Sequence, residues 1–215
     1  MRVARFAEQR ERAARVLAIV GIIFLDALHS AAQVPMPPFL SPVPPPVALN
    51  VPQIAQTTPV WCWLAVAEMA IRYRNLGGGL SQCQMLEVGY TLPSGSCCAT
   101  PTACMRTGGL QEIQAVIGRF GRRLSVLGPT PSPTEVYSFL RQGHPVIAAL
   151  QNTPFSGHVV LIRGMRIATV PIVTPFGMQT QTIPVLLVND PMSHFVSEVS
   201  YAAMLGYWSA AIVVL

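Results

Sequence analysis

Seven prolines in the twelve residues PMPPFLSPVPPP, 35–46, divide this 215-residue chain into parts that cannot share one regular element. Proline fixes φ and lacks an N–H, so residues 33–50 are expected as an extended, polyproline-like linker barred from helix and from ladder. Ahead of it, Arg2, Arg5, Arg10, Arg12 and Arg15 stand against only Glu8 and Glu11, and the apolar run VLAIVGIIFL, 16–25, follows directly. That run is shorter than the roughly 20 apolar residues of a spanning helix, and Asp26 interrupts it. Ser30, Ala31 and Ala32 supply the small residues a signal peptidase requires, so residues 1–32 read as a signal peptide and the product as secreted or periplasmic. An uncleaved anchor over 16–34 is the alternative, and the only membrane contact expected.

The charge follows the same division. All 14 basic residues are arginine, the acids number 9, and the formal charge is +5 with 11% charged residues. Beyond residue 32 there remain 9 Arg and 6 acids, a net +3, so part of the basic balance belongs to the leader. So low a charge density excludes a solvated disordered chain. The scattered arginines form no stripe with interleaved aromatics, so no nucleic-acid partner is expected. Residues 51–215 suit one compact domain, expected to be monomeric.

Within that domain, periodicity predicts helices first and sheet second. Residues 62–74, CWLAVAEMAIRYR, are apolar nearly all round with Glu68 and Arg72 paired at i,i+4, as in a helix buried through the middle of a domain. Further helices are predicted at 80–89, 109–119 and 133–141. From 145 onward, PVIAALQ, HVVLIRGMRIATV, TIPVLLVND and WSAAIVVL are apolar, β-branched runs of strand length separated by Gly, Pro and Asn. The fold class is α+β, a helical half packed on an antiparallel sheet.

Cys62 lies between Trp61 and Trp63 at the predicted start of the buried helix. The free N–H groups of a helix N-terminus favour an anion, so a thiol there is disposed to act as nucleophile. Gln56, six residues earlier, is spaced so that its amide and the Cys62 backbone N–H can converge on one oxyanion. His158 opens a strand and Asn189-Asp190-Pro191 ends the next one, so neighbouring antiparallel strands can bring an acid or amide against the imidazole. Strand side chains alternate in direction, and only one of Asn189 and Asp190 can serve.

In order along the chain stand VPQIAQTTPVWCWLAVAEM (51–69), SQCQ (81–84), Cys97-Cys98, GHPVIAAL (143–150), GHVVLIRG (157–164) and VNDP (188–191). Together they resemble the secreted bacterial papain-like cysteine peptidases. That group is similar to the effector proteases of plant-pathogenic bacteria and, more distantly, to the leader-cleaving peptidase domains of bacteriocin exporters. The resemblance spans essentially all of 51–215. It implies a papain-like fold, a peptide or protein substrate, Cys62 as nucleophile, His158 as general base and acid, Asp190 as third member and Gln56 as oxyanion donor. The 32 positions between His158 and Asp190 exceed the short hairpin of such folds and require an extended hairpin through Thr169–Thr182. The added segment 165–184 would either cover part of the cleft or shift Asp190 out of register. In the second case Asn189 is the fallback, since distant papain relatives use asparagine there.

With Cys62 set aside, Cys83, Cys97, Cys98 and Cys104 form an even set in a chain read as exported, which favours two disulfides. Joining adjacent Cys97 and Cys98 strains the backbone. Two pairings remain: Cys83–Cys97 with Cys98–Cys104, or Cys83–Cys98 with Cys97–Cys104. A zinc site is the rival, and its spacing is wrong for paired CxxC ligands, so no metal or cofactor is expected. His29 belongs to the leader, His144 reads as a solvated turn residue, and His194 as a surface-loop residue near the cleft. The same triad would also serve acyl transfer to an amine, as in transglutaminase-like enzymes. A non-catalytic secreted module is the third reading, and what separates it is whether the three side chains meet.

Overall fold

The computed structural model describes residues 43–74, 79–122, 124–153, 156–192 and 198–215. The expected signal peptide, most of the linker, His29 and His194 lie outside the described residues. Contacts group Pro44–Leu215 as one compact unit.

Helix α1 (Cys62–Tyr73) runs through the core with Trp63, Leu64, Ala65, Val66, Ala67, Glu68, Met69, Ala70 and Ile71 all buried. An element apolar on every side must be enclosed on every side. Helix α2 (Gln82–Gly89), the short α3 (Ser96–Ala99) and α4 (Leu110–Gly121) enclose it together with the sheet. Two disulfides, Cys83–Cys98 and Cys97–Cys104, tie α2 to α3 and α3 to the 3-10 turn Pro101–Cys104, selecting the second of the two expected pairings. Glu87 on α2 caps α3: its Oε1 accepts from Cys97 N at 2.7 Å and Cys98 N at 3.0 Å, and its Oε2 from Gly95 N at 2.9 Å.

The sheet has seven strands among the described residues: β1 (Val47–Ala48), β2 (Ser125–Gly128), β3 (Val146–Thr153), β4 (Ser156–Thr174), β5 (Gly177–Asn189), β6 (Glu198–Ser200) and β7 (Trp208–Val214). Their order is β2-β7-β3-β4-β5-β6, every pair antiparallel, with β1 pairing on β4. Alternation along the strands divides two apolar layers. Ile147, Leu161, Ile212 and Val214 pack with α1, whereas Val146, Ala148, Val160 and Ile162 pack with Val136 and Leu140 of helix α5 (Pro133–Arg141) and Met204 of helix α6 (Tyr201–Leu205). A helical first half and strand-rich second half are as expected, with the short elements α3, the 3-10 turn, β6 and α6 added, and two further strands. Strand β2 interrupts the helical half. Strand β1 lies inside the segment expected as linker, where Tyr137 also donates to Pro45 O at 2.9 Å. Gly164 admits β1: a Cβ there would lie 2.6 Å from Val47 O and 2.7 Å from Leu187 Cδ1.

The long hairpin is β4 and β5, in unbroken register from Thr174↔Gly177 down to Gly164↔Leu187. Its tip stands at the far end of β4 from His158, separated by sixteen residues of strand, or on the order of 50 Å at 3.3 Å per residue. The inserted length therefore extends the end of the strands away from His158. Below Gly164 the register slips by one, with Ile162 facing Val188 and Leu161 facing Asn189, so Arg163 is bulged out.

Candidate active site

Three of the four helices with eight or more residues begin with an internal cap. In α2, Ser81 N donates to Gln84 Oε1 at 2.9 Å. In α4, Gly109 N donates to Glu112 Oε2 at 2.9 Å, and in α5, Ser132 and Glu135 close a full capping box. Helix α1 has no side-chain cap: its N-cap is Trp61, fully buried, and its first turn holds no acid. Its leading N–H groups, which have no intrahelical acceptor, stay open at Cys62, the one free cysteine among the described residues and half-buried. Trp63, the next residue, is fixed in the core. Its indole N–H donates to Arg106 O at 3.0 Å, and Gly108 lies so flat on the ring that a Cβ there would be 2.4 Å from it. Trp61 is fully buried, whereas Trp63 lines a pocket with Met85, Tyr90, Val116 and Phe120.

The bulge at Arg163 decides which residue meets His158. Facing residues of paired strands share one side of the sheet. Had the outer register continued, Asn189 would face Ile162 and share the side of Val160 and His158. With the bulge, Asn189 faces Leu161, and Asp190 falls on the His158 side. His158 Nε2–H accordingly donates to Asp190 Oδ1 at 2.9 Å, with side chains 10% and 5% exposed. Asp190 Oδ1 also accepts from Met192 N at 2.7 Å. The other group acting on the imidazole is Cys62, and with Nε2 committed to Asp190 the nitrogen left for it is Nδ1. Burial alone would push His158 towards the neutral form. The hydrogen bonds with Asp190 and Cys62, and the charges of both, outweigh it and raise the ring from 6.5 to about 9. At neutral pH the imidazole is therefore held as a cation between a carboxylate and a sulfur.

Asn189 is turned to the opposite side and fully used: its Nδ2 donates to Val51 O and Pro52 O, both at 3.1 Å, and its Oδ1 accepts from Arg163 Nε at 2.9 Å. It contributes to the site by holding the segment that carries Gln56. Gln53 Nε2 donates to Asp190 O, and Gln56 N to Pro191 O at 2.9 Å, so residues 189–191 stitch down 51–56 in order. Gln56 Nε2 donates one hydrogen to Thr58 O at 2.9 Å, leaving the second for another acceptor. Gln56 Oε1, Thr58 Oγ1 and Trp61 Nε1, all within six residues before Cys62, are buried with no partner among the described residues. His144, expected as a solvated turn residue, is half-buried beyond α5, with its Nδ1 3.5 Å from Arg74 Nη2 at the opposite end of α1 from Cys62. The other groups sequence reasoning left without a role are Gln53, Arg163 and Gln82. Gln82 was legible in part, since it occupies the inward stripe of α2 with Met85 and Leu86, a place where a polar residue needs an internal partner.

The sequence matches the family model Peptidase_C70, papain-like cysteine protease AvrRpt2, over residues 46–205. The chain belongs to this family. As a member of Peptidase_C70 it is a cysteine protease, a hydrolase with protein as substrate, on the papain-like α+β fold of helices followed by antiparallel sheet. Among solved structures it is similar to a C39-like peptidase from Bacillus anthracis, at 14% identity and a TM-score of 0.45, over 80% of this chain and 98% of that one. It is also similar to UfSP from C.elegans, at 15% identity and a TM-score of 0.42, over 84% of this chain and 35% of that one. Likenesses this distant add nothing to the assignment, which rests on the family match. No curated protein matches the sequence. Among the described residues of this Peptidase_C70 member, no group of His, Cys, Asp and Glu could hold a metal ion, and no helix is long and apolar enough to cross a membrane.

Proposed function

We propose that this Peptidase_C70 member is an exported cysteine peptidase that cleaves peptide bonds through Cys62, His158 and Asp190, with Gln56 in the oxyanion hole. The observation that carries the reading is the bond of His158 Nε2 to Asp190 Oδ1 at 2.9 Å, on a ring that Asp190 and Cys62 together raise to about 9. A cationic ring beside the sulfur and the open end of α1 both favour the thiolate. The thiolate attacks the scissile carbonyl. Its oxygen becomes an oxyanion held by the second hydrogen of Gln56 Nε2 and the Cys62 backbone N–H, which has no helical acceptor. His158 gives its proton to the departing amine as the C–N bond breaks, leaving an acyl-thioester on Cys62 and a neutral imidazole. Neutral His158 then takes a proton from water, whose oxygen attacks the thioester, and the acid and the thiolate–imidazolium pair are released. Asp190 fixes the Nε2–H tautomer and ring plane throughout, its own oxygen anchored by Met192 N.

Export is part of the proposal. It is supported by the leader-like order of charge and apolar residues before the prolines, and by two disulfides, which persist in oxidising compartments. The test uses the isolated protein at pH 6. Iodoacetamide should label Cys62 faster than a free model thiol, Cys62→Ala should abolish turnover, and Gln56→Ala should lower it on the order of 100-fold. Alkylation no faster than the model thiol would remove the activated nucleophile from the account.

A further inference from the structure

We propose that Gln82 is a positioning residue for the oxyanion donor, and that Glu68 and Arg72 set its orientation. The inference deepens the peptidase reading and rests on Gln56 acting at the oxyanion. Gln82 is 3% exposed at the first position of α2, a polar side chain on that helix's apolar stripe. Its Oε1 accepts from Thr57 N at 2.9 Å, and its Nε2 donates to Ala55 O at 2.9 Å. One carboxamide thus grips the backbone on both sides of Gln56, as a neighbouring β-strand would. The grip leaves Gln56 itself facing away from α2, where its backbone N–H reaches Pro191 O.

The direction of the amide is determined by its surroundings. The second Nε2 hydrogen goes to Glu68 Oε2 at 3.1 Å, and Glu68 is itself buried and paired with Arg72 Nη2 at 2.6 Å. Two acceptors and one donor surround the group, so a flipped Gln82 would set its oxygen against two oxygens and strand Thr57 N–H. Glu68 lies nearly two turns along α1 from Cys62. The chain of contacts therefore joins the helix that carries the nucleophile to the loop that carries the oxyanion donor, through a residue touching neither sulfur nor substrate. Gln53 and Asn189 secure the same loop from the side of Asp190, and Gln82 secures it from the side of α1. A donor approached from only one side is free to pivot, and displacement of about 1 Å at a reacting centre can cost on the order of 100-fold.

The experiment separates two reactions of Cys62 in the intact oxidised protein. Acylation by p-nitrophenyl acetate passes through an oxyanion, whereas alkylation by iodoacetamide does not. Gln82→Met keeps the volume and removes all three hydrogen bonds. It should slow acylation about tenfold, leave alkylation at pH 6 within about twofold, and add nothing further in a Gln56→Ala background. Gln82→Asn, whose carboxamide falls one methylene short of Thr57 N and Ala55 O without adding a charge, provides the same comparison if the methionine variant does not fold. Equal losses in both reactions, full multiplication of the two variants' effects, or unchanged acylation would each overturn the positioning role. The peptidase reading fails separately, by slow alkylation of wild-type Cys62. Unchanged acylation in Gln56→Ala alone would remove the oxyanion donor, and the inference with it.

Discussion

Replacing Asp190 with alanine tests the electrostatics of the site where they are strongest. In the wild type, burial pulls His158 down, yet the carboxylate 2.9 Å from Nε2 and the contact with Cys62 hold it at about 9 rather than 6.5. Without the carboxylate, burial is opposed by Cys62 alone, and the midpoint should fall back to about 6.5 or lower. At pH 7.5 a midpoint of 9 keeps roughly 97% of the rings protonated, and a midpoint of 6.5 roughly 9%, a tenfold loss of the imidazolium before any loss of orientation is counted. Asp190→Asn should fall between wild type and alanine. Met192 N–H anchors Oδ1, so the amide keeps an oxygen towards Nε2–H and loses only the charge. The assay is the shift of the His158 ring proton between pH 5 and 10. Stability must follow with a fixed sign. A pKa raised on folding contributes stability that is complete below 6.5 and disappears as the pH rises through 9, so the wild-type Tm advantage over Asp190→Ala should be largest near pH 6 and shrink by pH 10. A His158 midpoint that stays near 9 in Asp190→Ala would refute the reasoning.

Other perturbations bear on the frame around the site. Gly164→Ala places a Cβ against the Val47 carbonyl and should expel β1, costing about 1–3 kcal/mol in urea unfolding, with new protease sensitivity near residue 47. Removing the Cys83–Cys98 bridge, which closes 15 residues, by the double substitution Cys83→Ala and Cys98→Ala should cost about 3 kcal/mol, read as a lower urea midpoint. Glu87 is held below its usual pKa by the backbone N–H of Gly95 first, with Cys98 and Cys97 adding to it against burial. Its contribution is therefore present above pH 4.5 and lost in acid, so the stability deficit of Glu87→Gln should narrow as pH falls below 4.5.

What could be read before the fold was known, and what could not, divides at the bulge. Cys62 was legible because a thiol heading an apolar helix is a local pattern, and His158 because it opens a strand. The family resemblance pointed to Asp190, but strand alternation alone could not choose between Asn189 and Asp190, because the choice depends on one unpaired residue, Arg163, which shifts the register without any local signal. Chain length alone suggested that the insertion between His158 and Asp190 threatened the third position. The inserted residues instead pair with one another in register and extend the far end of the hairpin, leaving its base intact. The helices of α1, α2, α4 and α5 followed their apolar periodicity, whereas β1 and β2 are short pieces whose existence depends on partners distant in sequence. Gln82 belongs to the same class: its position on an inward stripe was visible, but its three partners come from two other elements.

The central claim is that Cys62 cleaves peptide bonds with His158 and Asp190. It is tested most directly by incubating a library of proteome-derived peptides with wild-type protein and with Cys62→Ala, and sequencing the new termini by mass spectrometry. Cleavage by Cys62 should yield a set of new N-termini with the wild type and none above background with Cys62→Ala. Identical termini from both proteins, or none from either, would contradict it.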